Sequence, residues 1–135
     1  MEDIKIFFFT AMLIYLLSSM PIAFIWIKIS QKGLDLTEVG TGNIGAANTK
    51  NISGIISATC IATIDIFLKG FIPIYMVDNF LGYSWEVLVC GLIVVLDHNW
   101  SIFMNFKGGR GIAVSIGILL ALDSMNMIFL VIAIP

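Results

Sequence analysis

Residues Asn105-Phe106-Lys107-Gly108-Gly109-Arg110-Gly111 form a short basic, Gly-rich stretch between two long apolar segments. Glycine lets backbone N–H groups approach an anion where a side chain would block them, and such concavities bind phosphate-like groups. Lys107 and Arg110 add two positive charges, and a guanidinium can grip a phosphate through two parallel hydrogen bonds. The residues after Gly111 read as a helix, whose N-terminal dipole would face the same anion. The plainer alternative is a membrane loop, basic because cytoplasmic loops are and glycine-rich because it turns tightly. A second stretch, Gly40-Thr41-Gly42-Asn43-Ile44-Gly45, is followed by Asn48 and Lys50. Thr41, Asn43 and Asn48 can donate or accept hydrogen bonds without carrying charge. An amphipathic connector is the plainer reading here.

Composition sets where these stretches must sit. Of 135 residues, 59% are hydrophobic and 12% charged, and the mean hydropathy is +1.03. Soluble domains carry roughly twice that charged fraction, so the chain reads as an all-α, polytopic membrane helix bundle, residues 1–135 forming a single integral membrane domain. Cys60 and Cys90 both fall in apolar segments and read as small buried hydrophobes. With His98 the sole histidine, no zinc signature is present, and neither a metal nor another cofactor is expected. Nothing in the pattern suggests a nucleic-acid partner.

About four spans are expected. Ile6 to Ile27 is 22 residues without a charge, enough to cross a hydrocarbon core of about 30 Å. The acidic start and the length of the run argue against a signal peptide. Ser18, Ser19 and Pro21 inside it are tolerated where neighbouring helices satisfy the freed backbone groups. Asn51 to Val77 is the second span, carrying Asp65 and Lys69 at i,i+4, the favourable order for an ion pair. Charges at membrane depth face the bundle interior or a watery cavity, and we read this pair as structural. Asp78, Asn79 and Gly82 suggest a tight turn. Leu81 to Phe103 is the third span, with Trp85 and Trp100 near its ends, where indoles favour the headgroup region. Gly111 to Ile134 is the fourth.

Lys28, Lys32 and Lys50 lie in the first connection, and Lys107 and Arg110 in the third. The excess of cations predicts that both Gly-rich loops are cytoplasmic and that the N-terminus is outside. They would then share one interfacial site, suited to a small phosphorylated molecule and to a lipid from the adjacent bilayer.

Glu38-Val39-Gly40-Thr41-Gly42-Asn43-Ile44-Gly45-Ala46-Ala47-Asn48, together with His98 and Phe106-Lys107-Gly108-Gly109-Arg110-Gly111, resembles two motifs of the PlsY-type glycerol-3-phosphate acyltransferases. The resemblance runs from about Tyr15 to Leu122 and includes Asp65-x-x-x-Lys69-Gly70. It implies a multi-pass protein of the cell membrane that makes lysophosphatidic acid for phospholipid synthesis. The acyl group passes from acyl phosphate to the 1-hydroxyl of glycerol 3-phosphate, without a metal or thioester cofactor. Thr41 stands where the family usually has serine, and Arg110 where lysine is usual. With His98, these two would carry the chemistry. Gly40, Gly42, Asn43, Gly45, Asn48, Lys50, Lys107, Gly108, Gly109 and Gly111 would bind substrate. Asn51 replaces a usual arginine, with Lys50 as its possible substitute. Ala47 and Val114 replace threonines, and Asp97 replaces the glycine before His98.

The family's third motif, carrying a His and an Asn, has no counterpart beyond residue 111, where no histidine remains. We read the chain as a fragment or truncated product rather than a shortened relative. The His-x-x-x-x-Asp pair of the other glycerolipid acyltransferase class is also absent, because its last position is Phe103. Chemistry would then rest on positioning and charge stabilisation, with a phosphate oxygen accepting the proton. His98 as general base is the sharper alternative, and a structural hydrogen bond the plainer one. From a different class, the chain would be a non-catalytic membrane protein that binds phosphate or lipid.

Overall fold

A computed structural model describes residues 2–80 and 84–123. The described residues are helical throughout their regular structure. In chain order they are α1 (Glu2–Ser18), α2 (Ile22–Ser30), α3 (Ala46–Ile64), a π-helical turn (Asp65–Phe71), α4 (Ile72–Phe80), α5 (Ser84–Asn99), a 3-10 turn (Ile102–Met104) and α6 (Ile112–Leu122). Among the described residues, three stretches are long and apolar enough to cross a membrane: Ile4–Ser30, Ala46–Phe80 and Trp85–Met104. Their outward faces carry large apolar side chains, with Ile29, Ile56 and Phe80 all more than three-quarters exposed. In a bilayer that exposure is lipid contact, because hydrocarbon is the solvent there.

The first span is broken where the sequence places Ser19, Met20 and Pro21. Proline has no N–H to donate, and its ring clashes with the preceding turn. α1 therefore ends at Ser18 and α2 begins at Ile22. The carbonyls released at the break find distant partners. Lys69 Nζ donates to Met20 O at 2.6 Å, and Ser101 Oγ donates to Ser19 O at 2.5 Å. Both donors come from other spans, so the break is closed by tertiary structure.

The second span differs from its expected bounds. Its helix starts at Ala46 rather than Asn51, and Gly54 interrupts it with a φ of 82°. The expected turn at Asp78 and Asn79 is the last part of α4 instead, held by Asn79 Nδ2 donating to Tyr75 O at 2.8 Å; Gly82 lies outside the described residues. Of the fourth span, α6 is described only to Leu122, and 124–134 also lie outside. Asp123 falls at the C-cap of α6, not within a helix.

Two buried clusters hold the helices together. Phe7, Ile14, Ile74, Val77, Val87, Cys90, Val94 and Val114 join α1, α4, α5 and α6. Ala23, Ile27, Leu36, Ile44 and Ile61 join α2, the first connection and α3. α6 packs tightly on the π-helical turn. There a Cβ on Gly70 would lie 2.9 Å from Gly117 Cα, closer than real side-chain carbons come. Small residues allow such backbone approach between membrane helices.

Candidate functional site

Asp65 and Lys69 form the expected ion pair, with Lys69 Nζ 2.9 Å from Asp65 Oδ1 and both residues 3% exposed. The pair lies in a π-helical turn, not a regular α-helix. Lys69 also serves the broken first span, so one ammonium ties two spans together.

The first Gly-rich loop is organised by Asn48, which is fully buried. Its Oδ1 accepts the Thr41 N–H at 2.9 Å. Its Nδ2 donates to Leu36 O at 3.1 Å and to Val39 O at 3.0 Å. Upstream, Asp35 Oδ1 accepts the Thr37 hydroxyl at 2.6 Å and the Thr37 N–H at 2.8 Å. The two bonds from Thr37 hold the Asp35 carboxyl below its ordinary range, with smaller help from the fields of Lys28 and Lys107. Lys107 belongs to the second loop, so the two loops are close enough to feel each other's charge.

The second loop packs onto the end of α5. Gly109 N–H donates to His98 O at 2.8 Å, Phe106 N–H to Ser101 O at 2.9 Å and Lys107 N–H to Met104 O at 3.1 Å. A Cβ on Gly109 would overlap His98 Nε2, so only glycine leaves room for the imidazole. Gly111 has a φ of 73° and is the N-cap of α6. A left-handed residue there turns the chain from loop into helix without strain only as glycine. Of the glycines expected to form an anion nest, Gly109 already donates its N–H to α5, and free donors lie further along, at the start of α6.

Those donors face a cavity of about 310 Å3. Asn43, Gly45, Ala46 and Ala47 line it from the start of α3, and Arg110, Gly111, Ile112 and Ala113 from the start of α6. His98 and Asp65 lie on its wall, and Ala62, Ile66 and Ile116 make it apolar on one side. Neither α3 nor α6 has a side chain capping its N-terminus. The first N–H groups of a helix have no partner within it. Two helix N-termini and a guanidinium therefore address one cavity, which is an electropositive site.

Asn43, Gly45, His98, Arg110 and Gly111 meet at this cavity, among the residues expected from sequence. Lys107, Gly108 and Gly109 line a smaller cavity of about 10 Å3, which shares Asp65 and His98 with the larger one. Thr41, Lys50, Gly40, Gly42 and Asn48 line neither cavity. Thr41 and Lys50 are exposed, and the Asn48 amide is occupied by the loop it organises. Sequence reasoning overlooked Ala46, Ile112 and Ala113, which line the cavity from the first turns of α3 and α6. The signal was there: each helix opens after a glycine with no Ser, Thr, Asp or Asn to cap it. It also overlooked Ser101, whose partner is more than eighty residues away.

Fold and site together define a multi-pass membrane protein with an electropositive cavity between two helix N-termini. The sequence profile of the glycerol-3-phosphate acyltransferases matches residues 8–134, and the chain belongs to that family. It is 35% identical over 116 residues to the glycerol-3-phosphate acyltransferase of Fusobacterium nucleatum, covering 86% of this chain and 59% of that one. The Aquifex aeolicus relative of the same name is 36% identical, covering 90% and 62%. A crystal structure of PlsY, an integral membrane glycerol 3-phosphate acyltransferase, in its glycerol 3-phosphate form superposes with a TM-score of 0.84 at 35% identity, covering 93% of this chain and 62% of that one. Its lysophosphatidic acid form superposes at 0.80 with 33% identity. The chain thus spans about six-tenths of the length of these relatives.

Proposed function

We propose that the chain carries the glycerol 3-phosphate site of an acyl-phosphate:glycerol-3-phosphate acyltransferase of the cell membrane. The observation that supports this most is the pair of uncapped helix N-termini facing one cavity with Arg110. The phosphate sits between the starts of α3 and α6, held by Arg110. Asn43 takes up the glycerol hydroxyls. The acyl chain of an acyl phosphate lies along the apolar wall of Ala62, Ile66 and Ile116. In the reaction the 1-hydroxyl oxygen bonds to the acyl carbonyl carbon. The bond from that carbon to the phosphate oxygen breaks, and the hydroxyl proton goes to a phosphate oxygen. Such a step is accelerated by positioning and by fixed positive dipoles where negative charge develops. Both loops are on the cytoplasmic side in this reading, where the cation excess puts them.

Calorimetric titration of the purified chain with glycerol 3-phosphate, followed by radiolabelled glycerol 3-phosphate turnover with acyl phosphate in membranes, is the test. Binding that weakens roughly ten- to a hundred-fold in Arg110→Gln and is accompanied by turnover supports the full reading. Binding without turnover supports a phosphate-binding membrane protein that does not catalyse. Absence of binding overturns both.

A further inference from the structure

Ser18 and Ser19 are both 1% exposed, and neither hydroxyl has a hydrogen-bond partner among the described residues. A buried hydroxyl left unpaired is costly, and nearly all such groups in folded proteins bond to protein or to ordered water. Both serines line the cavity of about 10 Å3 at the break in the first span. That is the room one water molecule needs, and a polar lining is what keeps such a water in place. Within that lining the Lys69 ammonium and the Asp65 carboxylate offset each other at 2.9 Å, and Lys107 joins them from the second loop. A space of that size admits nothing larger than one water.

We propose that this cavity binds a single ordered water, held by the Ser18 and Ser19 hydroxyls, which fixes the His98 imidazole from behind. His98 lines both cavities, and its Nε2 stands where a Gly109 Cβ would be. The ring is thus clamped between the second loop and the water. Ser18 and Ser19 are positioning residues: they do not line the larger cavity, and they act on it through His98. The consequence for catalysis rests on the acyl-transfer reading, but the water site does not.

The chain has one histidine, so nitrogen-15 labelling of histidine reports His98 alone. Solid-state NMR of the labelled chain in lipid bilayers is expected to show one ring tautomer and magnetisation transfer from water to the ring. In Ser18→Ala/Ser19→Ala the water contact is expected to be lost and both tautomers to appear. Arg110→Gln, which alters only the larger cavity, leaves the tautomer unchanged. Two tautomers in the wild type, or a double variant with the wild-type spectrum, would overturn the proposal. A crystal structure of the wild type that resolves ordered waters provides a test without any variant. One water within hydrogen-bond distance of both hydroxyls supports the site, and a dry cavity sinks it. None of these readouts depends on turnover, so failure of the water site and failure of the acyltransferase reading remain distinguishable.

Discussion

At the scale of residues, the second loop separates what charge does from what shape does. Arg110→Lys keeps the charge and should retain glycerol 3-phosphate binding. Arg110→Gln removes a charge-assisted contact worth about 1.5–3 kcal/mol, so affinity should fall roughly ten- to a hundred-fold. Gly109→Val forces the His98 imidazole aside and should abolish binding while the protein stays in the membrane. Equal affinities by calorimetry across wild type, Arg110→Gln and Gly109→Val would reduce the loop to a basic turn. Asp35 gives a test of the first loop that needs no ligand. Its carboxyl titrates below the ordinary range because Thr37 bonds the charged form. A depressed carboxylate contributes stability that is present above its unfolded pKa and lost as pH falls through the folded one. The turn should therefore persist through mildly acidic pH and loosen only below about 3.9, the ordinary aspartate value. A carbon-13 titration of Asp35 with a midpoint at or above that value would refute the turn. These side chains were legible in the sequence because phosphate chemistry restricts residue type. The structural duty of Asn48 was not, since its acceptors are backbone carbonyls that only the folded loop brings within reach.

At the scale of elements, the buried ion pair was legible from spacing alone, since residues at i,i+4 share a helix face. The π-helical turn that carries it was not, because no local preference distinguishes it from an α-helix. Its effect is measurable through Lys69, which serves both Asp65 and the Met20 carbonyl. Asp65→Ala leaves a buried ammonium half-compensated and should lower folded yield; truncating one partner of a buried pair costs about 3–5 kcal/mol. Asp65→Ala/Lys69→Ala should recover only part of the loss, because the Met20 carbonyl then has no ammonium. Detergent-solubilised yield by size exclusion reads both variants. A double variant no better than the sum of the singles would mean that the two residues act independently. The site-forming elements follow a similar logic. The starts of α3 and α6 were readable as glycine-led helices, but that they point at one cavity depends on packing across some sixty residues of intervening chain.

At the scale of the whole molecule, the spans themselves were the most legible feature, because twenty apolar residues have few other uses. Their register was less so: Pro21 marks the break in the first span, whereas nothing local announces that α3 begins at Ala46. The parity of the spans makes a prediction. In a Cys60→Ser/Cys90→Ala background, a cysteine at Asn79 should be labelled by an impermeant reagent from outside intact cells. One at Lys107, exposed in the second loop, should be labelled only after the cells are opened. Outside labelling at Lys107 would place the two Gly-rich loops on the wrong side for a cytoplasmic substrate. The break between α1 and α2 has one more consequence, for how the protein is made. The Met20 and Ser19 carbonyls are completed by Lys69 and Ser101, which the ribosome adds long after the first span has emerged. Met20 O also accepts the Ile22 N–H at 2.9 Å, but until Ser101 is made the Ser19 carbonyl must stay within reach of water or of the insertion machinery. The final seating of this segment therefore waits until Ser101, at the end of the third span, has been synthesised.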